Sequence, residues 1–391
     1  MPQRRRRKQP HGGAGNRRAQ TGGVDVIVLI VGRDASQSEG VESALSDLGV
    51  DWKIKFVADA SAALSYAQAN PIEVVVAEMR PIGMEGTALL DRVKSHHPEA
   101  ARIMLLDETE ESQAMRALSS AHRLLNKPLR AEELLEAVEG ISELHEILNS
   151  PELKAAVGKL DKLPPPPKLY LALTRALDDP NVSPASLATL IQQDPAMAAK
   201  VLRLCNSAYF SGGRTITDIR TAVIRLGQQI LRRMVLATEV FADSTNSKVD
   251  RDAMRRRALL SSQLASKLLA GSSSELAGTA ALLAEVGMLL PGVKILNKDG
   301  ELEGEGPHYA EAGAYILGMW GLPMPIVEAV ANHQQPGRSN ARGFWVPGAV
   351  HVARALIAQQ PLDENYLSQV GMADKLPAWQ KLAEDLLGAE E

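Results

Sequence analysis

Residues 24 to 148 alternate between short apolar runs and stretches with a helical repeat. The segment 24–31 (VDVIVLIV) reads as a β-run buried on both faces. Further strands are predicted at 52–57, 72–77, 102–106 and 123–125. Helices are predicted between and after them, at 36–48, 60–68, 86–95, 110–119 and 131–148. Five strands each followed by a helix predict a doubly wound parallel five-stranded sheet. Beyond this the strand signal stops. At 183–241, Ser183 before Pro184 and Asp194 before Pro195 read as two N-caps with proline at the first helical position. Apolar stripes follow: Leu187, Leu190 and Ile191, then Val201, Leu202 and Cys205, then Val223, Ile224, Ile230, Leu231 and Val235. Gly212-Gly213 and Gly227 punctuate them, and further helices are predicted at 251–269, 275–290, 309–320, 325–333 and 347–359, with a short one around Trp379. The fold class is therefore α/β followed by all-α. Its expected units are a basic tail (1–22), an α/β domain (23–148), a linker helix with a proline-rich segment (149–168) and a helical domain (169–391). Pro164 to Pro167 are expected to form a stiff polyproline rod, and 298–307 a mobile loop.

Composition sharpens this picture in three places. Aromatic residues make up 4% of the 391 residues, so the cores must be aliphatic. The single cysteine, Cys205, excludes an internal disulfide framework and a cysteine-based metal cluster. No apolar run reaches the roughly 20 residues that span a bilayer, and no signal-peptide core follows the basic start; a cytoplasmic protein is expected. The net charge of −4 hides an asymmetry. Residues 1–22 carry seven cations and no acid, leaving −11 on the rest. An acidic body argues against general nucleic-acid binding, although the tail alone could meet an anionic surface.

The α/β half resembles the response-regulator receiver domain, a flavodoxin-like fold. The resemblance is carried by the layout, by Glu78-Met79-Arg80 with Gly83-Met84-Glu85-Gly86, and by Asn126-Lys127-Pro128. It implies an Asp nucleophile, an acidic pair holding Mg²⁺, a Ser or Thr that senses the phosphoryl group, and a Lys. Here Glu78 stands at the nucleophile position and Gly32-Arg33 replace the acidic pair, with Asp34 nearby. The Ser/Thr position reads Leu106 and the aromatic switch position Leu124; Lys127 is retained. An arginine where metal ligands belong repels Mg²⁺. Glu78 is expected to reach Lys127 or Arg33 in a permanent carboxylate–cation cluster, giving a pseudo-receiver that serves as a docking or dimerisation platform.

The helical half is similar to HDOD domains, the HD-related output domains of bacterial signalling proteins. Asp194-Pro195, Arg203-Leu204, Asn206-Ser207-Ala208-Tyr209, Thr215-Ile216, Ala222-Val223 and Leu226-Gly227 stand in the family's order, after a Lys162-Leu163-Pro164 opening. The resemblance implies the skeleton of HD-type metal phosphohydrolases. In those enzymes histidines and a His-Asp pair hold metal, and metal-bound water attacks a phosphoester. Here Ala284-Glu285 stand at the His-Asp pair, and Arg354 at the final Asp. His308, His333 and His351 remain; they could approach one another, or sit as packed core histidines. Arg232, Arg233, Arg255, Arg256 and Arg257 are candidates for an anion or nucleotide site. Asn206, Tyr209 and Phe210 are candidates for partner binding.

Together these readings lead to the expectation of a non-enzymatic adaptor in two-component signal transduction, with no cofactor. Its expected partners are a sensor kinase, a response regulator or a cyclic-di-nucleotide enzyme, and a homodimer is a further expectation. The alternatives are an HD-type metal-dependent phosphodiesterase and a nucleotide- or nucleic-acid-binding module.

Overall fold

The computed structural model describes residues 26–33, 36–50, 52–106, 117, 120–148, 150–158, 173, 176–177, 179, 181–206, 215–239, 249–297, 300–341 and 343–388. The strands are β1 (Ile27–Val31), β2 (Lys53–Val57), β3 (Val74–Glu78), β4 (Ala101–Leu106) and β5 (Arg123–Asn126). They form one parallel sheet in the order β2-β1-β3-β4-β5. The sequence dictates which strands lie inside. VVVAE of β3 and ARIMLL of β4 are buried at every position, whereas β2, with Lys53 and Lys55, is half exposed at an edge. Helices α1 (Ser36–Asp47), α2 (Ala60–Ala69), α3 (Gly86–His96) and α4 (Ala131–Ile147) accompany the sheet. Asp59 caps α2 by accepting the Ala62 N–H. The helix predicted at 110–119 lies almost wholly outside the described residues, as do the four prolines.

The second half is helical: α5 (Pro151–Gly158), α6 (Pro184–Gln192), α7 (Pro195–Cys205), α8 (Ile219–Glu239), α9 (Arg251–Leu268), α10 (Ser272–Leu283), α11 (Tyr309–Met319), α12 (Met324–Asn332), α13 (Val346–Ile357), α14 (Glu364–Gln369) and α15 (Leu376–Gly388). The two proline-led starts form as read: Ser183 accepts the Ser186 N–H and Asp194 the Met197 N–H. Gly227 has φ +74° and breaks α8 into two segments. The predicted 275–290 helix ends at Leu283 and gives way to a 3₁₀ turn at Val286–Leu289. The loop expected at 298–307 is in part a hairpin. Leu302–Glu303 (β7) pairs antiparallel with Ile295–Leu296 (β6).

The halves are packed together. Helix α5 lies against α11, and α4 against α11 and α12. A Cβ added at Gly318 would fall 2.5 Å from Leu144 Cδ1, so glycine there lets α4 approach α11. His145 on α4 stacks on Tyr315 of α11 at 5.9 Å and meets its hydroxyl at 3.0 Å. The linker helix α5 is thus part of the helical packing.

Candidate functional site

At the carboxyl ends of β1, β3 and β5 three chain positions converge. Glu78 closes β3 and is 6% exposed. Lys127 follows β5, where its N–H donates to Leu106 O at 2.8 Å and fixes it beside β4. Its Nζ lies 3.4 Å from Glu78 Oε2. Gly32 follows β1; a Cβ on it would stand 2.6 Å from Glu78 Oε1. The Glu78 carboxyl therefore fills the space into which a side chain at position 32 would project. Arg33 is not part of the pair. It is exposed, and its Nε donates to Arg80 O at 3.0 Å. Leu106 is fully buried and has no hydroxyl to offer. Asp34 lies outside the described residues.

The second polar centre lies inside the helical half. Ala284 ends α10, placing Glu285 at the entrance to the 3₁₀ turn, where it is 1% exposed. Arg354 on α13 is 3% exposed and pairs with Glu285 Oε1. Arg257 on α9 reaches Glu285 Oε2 at 3.1 Å. Both carboxylate oxygens are thus held by guanidinium groups, one from each flanking helix. A buried carboxylate requires such compensation. Arg257 accordingly stands apart from an exposed anion cluster. Arg256 is exposed, and the side chains of Arg232, Arg233 and Arg255 lie outside the described residues.

The three histidines each have lone pairs already used. His351 Nε2 accepts the Asp363 N–H at 2.9 Å, so its Nδ1–H donates to His333 O at 2.8 Å. His333 Nδ1 faces Val330 O at 2.8 Å, and its Nε2 accepts from the Tyr309 hydroxyl at 3.0 Å. Gln334 donates to the same hydroxyl at 3.0 Å. His308 caps α11 by accepting the Ala310 N–H at 3.1 Å, and its ring stacks on Tyr309 at 4.8 Å. Burial, reinforced by the Arg354 charge, lowers the His333 pKa to about 3; burial also lowers those of His308 and His351. All three rings are neutral at neutral pH. Among the described residues no three His, Cys, Asp or Glu side chains form a group able to hold a metal.

Asn206 binds the backbone of Ile216 on both sides. Its Oδ1 accepts the Ile216 N–H and its Nδ2 donates to Ile216 O, both at 2.7 Å. Tyr209 and Phe210 lie outside the described residues. Cys205 is buried, and burial pushes its thiol up to about 12, which leaves it unreactive.

Two features escaped the sequence reading. One is a polar joint between the halves, around Arg102, His122, Arg123, Arg203 and Trp320. Its only signal was a charged residue, Arg203, inside an apolar helix run. The other is a cavity of about 440 Å³ between α4, α11 and α12, where Glu143, Glu146, Glu311 and Glu328 face Arg338. Burial and the like charges of Glu146 and Glu328 raise the Glu143 carboxyl.

The sequence pattern of the response regulator receiver domain matches residues 28–139, and that of the HDOD domain matches 163–298. The chain is a receiver domain followed by an HDOD domain. Among solved structures, the MmoQ response regulator of Methylococcus capsulatus str. Bath is 21% identical, covering 56% of this chain and 98% of its own, with a TM-score of 0.42. The signal receiver domain of an HD domain-containing protein from Pseudomonas fluorescens Pf-5 is 22% identical over 33% of this chain and 90% of its own, TM-score 0.27. An uncharacterised protein of Treponema pallidum (strain Nichols) is 25% identical over 195 residues, 45% of this chain. The chain spans 38% of that protein's length. No helix among the described residues is long and apolar enough to cross a membrane.

Proposed function

We propose that this receiver–HDOD chain is a signalling regulator that acts by binding other proteins and not by catalysis. The observation that carries the reading is the Arg354–Glu285–Arg257 group. Two guanidiniums take both oxygens of the one carboxylate, at the position to which the resemblance to HD enzymes assigns the metal-holding pair. A cation already sits beside that carboxylate, so a divalent metal would meet repulsion and no open ligand.

The receiver pocket supports the same conclusion. Mg²⁺ needs hard oxygen ligands in octahedral array, and Glu78 is engaged by Lys127 over a glycine. The residues present do not fit that ion, and no phosphoryl-transfer step is assigned to them. The helical domain is taken to run to α15, which packs on α9 and α13 well beyond the family match. The partners are signalling proteins of the classes that receiver and HDOD domains serve.

The test has two arms. Full-length protein incubated with Mg²⁺ and a small acyl-phosphate donor is expected to keep its intact mass, and elemental analysis to find less than one equivalent of transition metal. The same protein used as bait in a native lysate is expected to retain a signalling protein at a fixed stoichiometry. Phosphoester turnover with bound metal would overturn the proposal.

A further inference from the structure

The open cavity of about 440 Å³ between α4, α11 and α12 concentrates negative charge. Glu143, Glu146, Glu311 and Glu328 line it, and among its described lining residues Arg338 is the one cation. Arg338 stands 3.7 Å from Glu311, so four carboxylates against one guanidinium leave three charges uncompensated. Burial, with the like charges of Glu146 and Glu328, raises the Glu143 carboxyl. Asn332 adds a neutral acceptor. It is 8% exposed and lines the same cavity. Its Nδ2 donates to Glu328 O at 3.0 Å, which fixes the orientation of the amide. Among the described residues its Oδ1 has no hydrogen-bond partner and is left to the cavity. A buried acceptor among uncompensated carboxylates suits an occupant that brings N–H donors and positive charge, a guanidinium or an ammonium group.

The chain carries such groups within reach. Residues 1–22, outside the described residues, hold Arg4, Arg5, Arg6, Arg7, Lys8, Arg17 and Arg18 and no acid. The fold sets the origin of this tail at the cavity's end of the sheet. Arg123 opens β5, and a Cβ on Gly140, in the second half of α4, would lie 3.0 Å from its Nη2. Helix α4 therefore runs back along β5, and its last turns, with Glu143 and Glu146, stand at the amino-terminal ends of the strands. All five strands are parallel, so β1 begins at that same end, and α1 packs on α4. The sheet places β1 three strand spacings from β5, about 14 Å. The stretch from Arg18 to Val26 spans up to about 26–29 Å when extended, which covers that distance.

We infer that the acidic cavity between α4, α11 and α12 is the docking site of the chain's own basic tail, residues 1–22. Tail cations meet Glu143 and Glu146 on one wall and Glu311, Glu328 and Asn332 Oδ1 on the other. Each such contact is partly exposed, individually weak and screened by salt. The tether supplies the remainder, because a linked segment acts at high effective concentration. The inference is independent of the non-catalytic role proposed above.

Fluorescence anisotropy of a labelled peptide of residues 1–22 tests it against three forms of the full chain. The first is unaltered, the second has all seven tail cations replaced by glutamine, and the third adds Glu143→Gln and Glu146→Gln to the second. Both glutamates are exposed, and far-ultraviolet circular dichroism checks that each form is folded. The neutral-tail chain is expected to bind the peptide about ten-fold more tightly than the unaltered chain, whose own tail competes. Adding the two glutamate changes is expected to weaken that binding about five-fold, and raising the salt to about 0.3 M to weaken it as well. Should the third form fail to fold, Glu143→Gln alone decides by the same criterion. Equal affinity of the first two forms would assign the cavity to a basic segment of a partner and overturn the inference. Binding that ignores the glutamate changes, or no binding to the neutral-tail chain, overturns it too.

Discussion

At the scale of single residues, charge compensation governs what this chain can do. Glu285 is buried more completely than either of its guanidinium partners, so removing one partner leaves a carboxylate that water cannot reach. Arg354→Ala is expected to destabilise the helical half by roughly 3–5 kcal/mol, the range for breaking a buried pair. Arg257→Ala should cost less, because Arg257 is partly exposed and water replaces it. Urea denaturation of both variants checks the order; an Arg257 effect as large as that of Arg354 would show that burial does not set the ranking. At Glu78, Gly32→Ala should be destabilising, since the new methyl meets the Glu78 carboxyl. Pairing it with Glu78→Ala removes the obstruction and should recover most of the loss, a coupling that a double-mutant cycle reads directly.

At the scale of elements, close backbone approaches and neutral histidines hold the pieces together. Gly287 in the 3₁₀ turn meets Tyr309 O and Gly313 N of α11 at a separation where no Cβ fits. Gly287→Ala must push the turn, and Glu285 with it, away from α11. The expected cost exceeds the roughly 1–3 kcal/mol of ordinary overpacking, measured as a lower thermal midpoint. Histidines set the pH dependence. Burial lowers His145 to about 4 and His333 to about 3, both below the unfolded value of 6.5. Between these values the unfolded chain binds protons that the folded chain refuses. Stability is therefore full above about pH 6.5 and is lost as pH falls toward 4, at no more than roughly 1.4 kcal/mol per pH unit for each histidine. Urea midpoints from pH 7.5 to 4.5 should show this slope, and His145→Gln should flatten it in part.

At the scale of the whole molecule, the α/β half and the helical half pack through α4 and α5 against α11 and α12, so their unfolding is expected to be coupled. Trp52 reports on the receiver sheet and Trp379, stacked on Phe344 at 4.9 Å, on the C-terminal helices. Hydrogen exchange of the segments around Trp52 and Trp379 against urea, with all tryptophans in place, should give coincident midpoints, and Arg203→Ala should separate them. Two well-separated transitions in the unaltered chain would mean that the interface adds little to either half.

Local physics was enough to make much of this readable in advance. That the five strands form a parallel sheet follows from their alternation with helices, and the lysines of β2 agree with its place at an edge. The helix starts at Ser183 and Asp194 follow from capping chemistry that acts within four residues. The family resemblance, and not local physics, singled out Glu78, Lys127, Glu285 and Arg354 as residues expected in altered pockets. Only the fold could decide what each of them touches. Arg33 turned to a backbone carbonyl while Lys127 took Glu78; Arg257 left the surface cluster for Glu285; and Arg203 became the joint between halves. Such pairings link residues 49, 28 and 82 positions apart. Nothing in a chain's local pattern ranks one distant partner over another, because that choice is made by desolvation and shape when the helices close on the sheet.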